Sequence, residues 1–446
     1  MTLDDSAPIL RLGLLQPRTP LAECLAAIER TGVEAAAELL HFHKVRSIAR
    51  DRIAELRGAL PPAESSLLND LHDRLDEKAR LTDVRGATTD TVHRLVGDVA
   101  RKAGVPWWTM KGHTFRRLYP DGLRRDVGDL DVLVDDIDAA WALAEGLRRH
   151  DYAYPAGELP WFKKDTEDGR LYGQIRLVAP DRERLSIDVH AGPYSVRHCG
   201  LMRLGRSGGP AEPGPISFDD DVCAVIANAA GDCFVNAKLA NDLVLALDAG
   251  FDHAYVLRTL DGAGLLPFLQ SCLIRLREWC DLSDRQRAAL ARLTTSDAPE
   301  PLPPVSFSDP AQRCATTVEH ARVIAGRKFP DDPGRVEEIV TTAEDAYGKD
   351  HPLEIVPDGE TFDGGLPPLN NWTCVRLVPI PLAAEHFTEA PGGTLPPGNI
   401  RALTDRLGVI DYGGNAVVHA ARERFVPTVT YRLPAPFVRA LLPHGA

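Results

Sequence analysis

The sequence predicts an α+β fold: a small mixed β-sheet, helical regions before and after it in the chain, and a C-terminal α/β extension. Three observations carry this. Helical periodicity dominates up to about residue 100 and returns over 219–293. Between these regions lie short apolar runs of strand length, broken by Gly, Pro and Asp. Past a stretch at 298–310 that holds five prolines, the texture changes again, to two helical segments and a Pro/Gly-rich tail of β character.

At 446 residues the chain holds two to four structural units. The expected boundaries are a helical region at 1–103, the sheet-bearing core at 104–215, a second helical region at 216–297, the linker at 298–310 and the extension at 311–446. Apolar residues make up 44% and charged residues 26%, which suits a soluble globular protein. A net charge of −13 excludes a protein that coats nucleic acid with a broad basic surface. A local exception is the cluster Arg116, Arg117, Arg124 and Arg125, which can receive a phosphate. The acidic start lacks a basic signal region, and no run of eighteen apolar residues exists. The eight cysteines form no C-x-x-C pair and read as free core thiols. A cytoplasmic location, away from the membrane, is therefore expected.

Taken in order, 21–40 and 45–60 have helical spacing, Pro61-Pro62 closes the second, and Ser65-Ser66 offers a cap for the next helix. Another helix spans 89–103 and stops at Gly104. Residues 105–110 form a bulky apolar strand, in which Trp107 and Trp108 read as core, and Lys111-Gly112 breaks it. A short helix at 113–119 is closed by Pro120-Asp121-Gly122. The second strand is 129–134. The helix at 138–149 follows acids that suit its dipole. Strands at 172–178 and 185–190 flank a turn, and 205–215 is a loop or flap. Residues 219–247 are helical. After the linker come helices at 311–328 and 336–347, then a meander at 408–412, 416–420 and 426–433.

Chemistry concentrates in the stretch from Gly128 to Val134. Asp129 and Asp131 are two apart on a strand, so both side chains leave one face while Leu130 and Val132 leave the other. Asp188 occupies an equivalent place between Ile187 and Val189 and shares its face with His190. If the two strands are neighbours, three carboxylates converge. Two carboxylates about 4 Å apart repel by roughly 4 kcal/mol at an effective dielectric near 20, so such a cluster needs a cation or protons. Hard oxygens suit Mg²⁺, as one ion or two. His190 reads as a metal neighbour, a general base or a structural residue, and His113 as structural or substrate-facing. Asp242 reads as structural, bonded to backbone or to Lys238, and His41 and His43 face different ways on their helix.

The run from Trp107 through Lys111-Gly112, Leu118-Tyr119-Pro120 and Arg125 to Asp129-Leu130-Asp131-Val132-Leu133-Val134 resembles the uncharacterised nucleotidyltransferase family of the polymerase-β-like superfamily. His41 to Val45, Asp188-Val189-His190 and Asn241-Asp242-Leu243 extend the resemblance over about residues 20–290. It implies a mixed sheet of five or fewer strands with helices behind it. It implies Asp129, Asp131 and Asp188 as metal ligands, with Asp188 taking the proton of the attacking hydroxyl. It implies Lys111, Gly112, Thr114 and Arg125 on the side of the nucleotide phosphates. One position departs from the wider superfamily, where Gly-Ser stands at Lys111-Gly112 and the Ser holds the triphosphate.

The expected activity is Mg²⁺-dependent transfer of a nucleoside monophosphate from an NTP to a hydroxyl of a small molecule or protein, with release of pyrophosphate. The acidic charge places tRNA behind these acceptors. Three other readings stay open: a toxin-like enzyme acting on tRNA or protein, a biosynthetic enzyme that forms an acyl-nucleotide, and a non-catalytic protein that reuses the fold for binding.

Overall fold

The computed structural model describes residues 7–155, 159–164, 169–181, 183–196, 200–204, 214–232, 234–294, 300–302, 310–347, 375–380, 397, 407–428 and 441. A 3₁₀ segment, Ala7–Gly13, precedes α1 (Leu21–Thr31), α2 (Val33–Phe42), α3 (Arg46–Leu56), α4 (Pro62–Ala87) and α5 (Thr89–Ala103). The sequence predicts one helix over 21–40, but Gly32 at φ 84° divides it. A left-handed residue cannot continue the hydrogen-bond ladder, and glycine adopts it without strain. Helix α4 starts earlier than the serines suggest. Pro62 stands in its first turn, where a missing N–H costs nothing. The Ser65 hydroxyl instead donates to the carbonyls of Arg57 and Leu60.

The sheet-bearing part runs β1 (Trp107–Met110), α6 (Gly112–Phe115), β2 (Asp129–Val134), α7 (Ile137–Arg148), β3 (Trp161–Lys164), β4 (Leu171–Leu177), β5 (Ser186–Ala191), β6 (Tyr194–Val196), β7 (Gly200–Met202) and β8 (Gly214–Pro215). Helices α8 (Phe218–Gly231), α9 (Ala237–Ala249), α10 (His253–Gly262), α11 (Leu266–Trp279) and α12 (Asp284–Leu293) follow. The expected continuous helix at 219–247 is thus two, because the Asn236 side chain accepts from the Leu239 N–H and starts a new one. Then come α13 (Pro310–Lys328), α14 (Pro333–Tyr347), β9 (Val375–Pro379), β10 (Gly408–Tyr412), β11 (Asn415–Ala420) and β12 (Glu423–Thr428). Most of the expected loop at 205–215 and of the linker at 298–310 lies outside the described residues, as does the end of the strand at 426–433.

Among the described residues the main sheet has the order β10-β11-β12-β9-β3-β4-β5-β2-β1-β8. The expected core at 104–215 contributes six of these strands, β3-β4-β5-β2-β1-β8, one more than the family resemblance implies. The whole sheet is larger because β9 to β12 of the extension join it, and the mixed α+β class is as expected. Strand β3 adds to β4 and then pairs with β9, Phe162 opposite Val375. The extension therefore continues the core sheet. Strand β3 was hidden in the sequence because it is only four residues long and ends in Lys163-Lys164.

Two cores hold the layers. Behind the sheet, Leu130, Val132, Ile187 and Val189 pack on Val92, Val96 and Val99 of α5 and Leu143 and Leu147 of α7. On the other side Trp108, Met110 and Leu133 join the core of the helical regions. The candidate site lies on that second face. Two buried polar residues tie the N-terminal segments to α9. Asn241 accepts from the Leu15 N–H at 2.8 Å and donates to the Gly13 carbonyl at 2.8 Å. His43 is 1% exposed, and its Nδ1 accepts from the Ala237 N–H at 3.1 Å, which caps α9.

Burial, with help from Arg275, pushes the His43 imidazole down to about 3 from the ordinary 6.5. The folded chain therefore refuses a proton that the unfolded chain accepts. Its contribution to stability is whole above pH 6.5 and is lost as pH falls toward 3. Between pH 6.5 and 5 the loss from this one group is about 2 kcal/mol. Urea midpoints across that range check it: His43→Asn should start less stable and show a shallower acid decline than the parent chain.

Candidate functional site

Strands β2 and β5 are parallel neighbours, and their register sets Asp131 opposite Asp188 and Asp129 opposite Ser186. Side chains alternate, so Asp129, Asp131, Asp188 and His190 share one face. The opposite face is the apolar core described above. Four buried aliphatic side chains there, at about 2 kcal/mol each, outweigh the repulsion of roughly 4 kcal/mol expected of one carboxylate pair. The fold can hold the acids together.

Strand β1 runs antiparallel to β2 and ends at Met110, opposite Asp131. The next residue is Lys111, at φ 54°. A lysine in the left-handed region is strained, and the Asp221 carboxylate on α8 holds it there by accepting its backbone N–H. The Lys111 Nζ is thereby delivered to Asp131 Oδ1 at 2.6 Å. It also donates to the Tyr194 hydroxyl at 3.1 Å and lies 5.1 Å above that ring. The same Asp131 oxygen meets His190 Nε2 at 3.1 Å.

Electrostatics divides the acids. Burial opposes ionisation of Asp131, but the Lys111 ammonium and His190 overcome it and hold the carboxyl well below its usual range. Burial likewise opposes the Lys111 charge, and Asp131 overcomes that too. Asp188 goes the other way: burial, then the Asp129 charge, raise it well above the usual range. Burial and Lys111 lower His190, so its ring is neutral. Beside an ionised carboxylate, Nε2 is then the nitrogen that carries hydrogen.

Asp188 Oδ2 accepts from Gln174 Nε2 at 3.0 Å. Asp188 Oδ1 is buried without a hydrogen-bond donor, and Arg176 Nε is 3.6 Å away. A buried carboxylate oxygen lacking a donor is what a cation site presents. Asp131, Asp188 and His190 each bring a ligand atom, all within 4.8 Å of one another, so a divalent cation fits the residues present. Asp129 is outside that tight set. It is partly exposed at the rim of the same face.

Arg125 is buried and clamped by Asp242 on α9, at 2.8 Å through Nε and 2.7 Å through the far nitrogen. Tyr119 donates to the same carboxylate at 2.9 Å. The sequence expectation joined Asp242 to backbone or to Lys238; its partners are Arg125 and Tyr119 instead. A Cβ on Gly112 would stand 3.1 Å from the remaining Arg125 nitrogen, so glycine permits this approach. Lys238, one turn before Asp242, has no side-chain hydrogen bond or ion pair among the described residues. Burial, then Arg125 and Lys44, draw its ammonium down to about 8.

The other expected residues are placed elsewhere. The Thr114 hydroxyl faces the Asp221 carboxyl, which burial pushes up to about 7. His113 stacks on His93 at 4.6 Å and meets Arg117 at 2.7 Å, apart from the carboxylates. The four arginines do not act as one patch. Arg116 faces Asp90, Arg117 faces His113, Arg124 pairs with Asp51 and Asp83, and Arg125 with Asp242. Sequence reasoning missed Tyr194, Gln174, Asp221 and Lys238 as parts of the site. Only Lys238 left a signal, its i,i+4 spacing to Asp242 on one helix face.

Among the described residues no helix is long and apolar enough to cross a membrane. A family model described as an uncharacterised nucleotidyltransferase matches residues 29–281. That span contains every residue of the site. No curated protein and no solved structure matches the chain.

The clamp makes a direct prediction. Asp242→Ala leaves the Arg125 guanidinium buried and unpaired, which costs about 3–5 kcal/mol. Denaturation in urea should show this loss with an unchanged slope, and Asp242→Asn should show a smaller one.

Proposed function

The chain belongs to the uncharacterised nucleotidyltransferase family, and from that premise we propose that it moves a nucleoside monophosphate from an NTP to a hydroxyl, releasing pyrophosphate. The observation that carries this reading is the parallel register that sets Asp131 beside Asp188, with Asp188 Oδ1 buried and lacking a donor. Asp129, Asp131 and Asp188 would hold a divalent cation, Mg²⁺ by the hardness of their oxygens, with His190 beside them. Once bound, the cation supplies Lewis-acid stabilisation of the charge on the phosphoryl oxygens.

The remaining work belongs to the side chains. Asp188 in its ionised form takes the proton of the acceptor hydroxyl, a role that its raised proton affinity suits. The hydroxyl oxygen bonds to the α-phosphorus as the bond from that phosphorus to the bridging oxygen breaks, and pyrophosphate leaves with the electron pair. Lys111 keeps Asp131 ionised throughout. The phosphate side is formed by Arg125, aimed past Gly112 by Asp242, and by the unpartnered Lys238. Fixed cations aimed where negative charge develops are an efficient source of catalysis.

The net charge of −13 and the separate partners of Arg116, Arg117 and Arg124 favour a small-molecule or protein acceptor over tRNA. Incubation with each labelled NTP and Mg²⁺ is expected to give transfer that chelation stops. Asp129→Ala combined with Asp131→Ala should lower it by about a thousandfold or more, roughly 4 kcal/mol of barrier. Transfer that survives the double substitution would contradict the assigned site. Tight tRNA binding with a steep salt dependence would move the acceptor to a polynucleotide.

A further inference from the structure

The carboxylate face already contains one cation. The Lys111 Nζ sits 2.6 Å from Asp131 Oδ1 and 3.1 Å from the Tyr194 hydroxyl, with Asn228 Oδ1 at 3.5 Å. Lys111 is 6% exposed, and its strained backbone is pinned by Asp221. A side chain held from both ends in this way does not swing aside easily. Withdrawal would strand a buried charge on each partner.

The oxygen that Lys111 and His190 share is therefore occupied. Open acceptors remain at Asp188 Oδ1, which has no hydrogen-bond donor, and at the Asp129 carboxylate, which has no hydrogen bond or ion pair among the described residues. With Asp188 ionised as an ion binds, three carboxylates and one fixed ammonium leave two negative charges, which one divalent ion balances. Arg176, 3.6 Å from Asp188, leaves still less for another. A second divalent ion on Asp131 would stand directly against the Lys111 ammonium, in a site with little water to screen the repulsion.

We propose that this site takes a single divalent cation, at the carboxylates of Asp129, Asp131 and Asp188, and that the Lys111 ammonium, bound to Asp131 Oδ1, serves in place of a second. Lys111 thus stands on the metal side of the reaction and not among the phosphate contacts. The inference rests on the metal-dependent reading above.

Counting bound ions tests it. The full chain is titrated with Mn²⁺, and the free ion is followed by electron paramagnetic resonance, with and without a non-hydrolysable ATP analogue. One Mn²⁺ per chain is expected under both conditions. Lys111→Met should take two in the presence of the analogue, and Lys111→Arg, which keeps the charge, should stay at one. Two ions on the parent chain, or still one on a Lys111→Met chain shown by circular dichroism to be folded, would overturn the inference and leave the metal-dependent reading standing. If Lys111→Met does not fold, Asp129→Asn decides: loss of the single ion supports the assignment, and its retention overturns it. A parent chain that binds no Mn²⁺ would overturn both.

Discussion

The ion pair between Lys111 and Asp131 is the contact on which the site depends. Both groups are buried, and each alone would be neutralised by its surroundings. Together they stay charged, and Asp131 keeps its ionised form beside a second acid, Asp188, that burial drives toward the neutral one. The pair also explains a backbone oddity. Lys111 follows a strand at a positive φ, and from that turn its Nζ reaches back to Asp131 on β2. Asp221, Tyr194 and Asn228 are the groups that keep it there.

The helical regions are therefore part of the site and not a separate shell. Helix α8 supplies Asp221 and Asn228, and α9 supplies Asp242 and Lys238. Helix α9 is itself fixed by His43 at its start and by Asn241 against the N-terminal 3₁₀ segment. A chain of buried polar contacts thus runs from the first residues described to Arg125 at the edge of the carboxylate face. The carboxylates stand on a rigid sheet, and the cations that answer them come from the helices packed over it.

Much of this was legible in the sequence. Period-two alternation around Asp129, Asp131 and Asp188 gave the shared face, because the apolar partners Leu130, Val132, Ile187 and Val189 declare the other face as core. Four core strands were readable as short apolar runs and most of the helices by their own periodicity, whereas β8 fell in a stretch read as loop. The residues missed act through contacts between distant segments. Lys111 and Tyr194 meet across 83 positions, and Arg125 and Asp242 across 117. No local pattern encodes such pairs. Asp221 is one of three acids in the first turn of α8, with nothing local to set it apart, and β3 and β9 were too short for periodicity to distinguish them from loop.

The proposed activity requires that the Asp129, Asp131 and Asp188 face bind a nucleotide through a divalent cation. Isothermal calorimetry of a non-hydrolysable NTP, titrated with and without Mg²⁺ into the parent chain and into Asp188→Asn, tests it most directly. Binding to the parent chain is expected to require Mg²⁺ and to be lost in Asp188→Asn. Nucleotide binding that is equally strong without Mg²⁺, or that survives in Asp188→Asn, would contradict it.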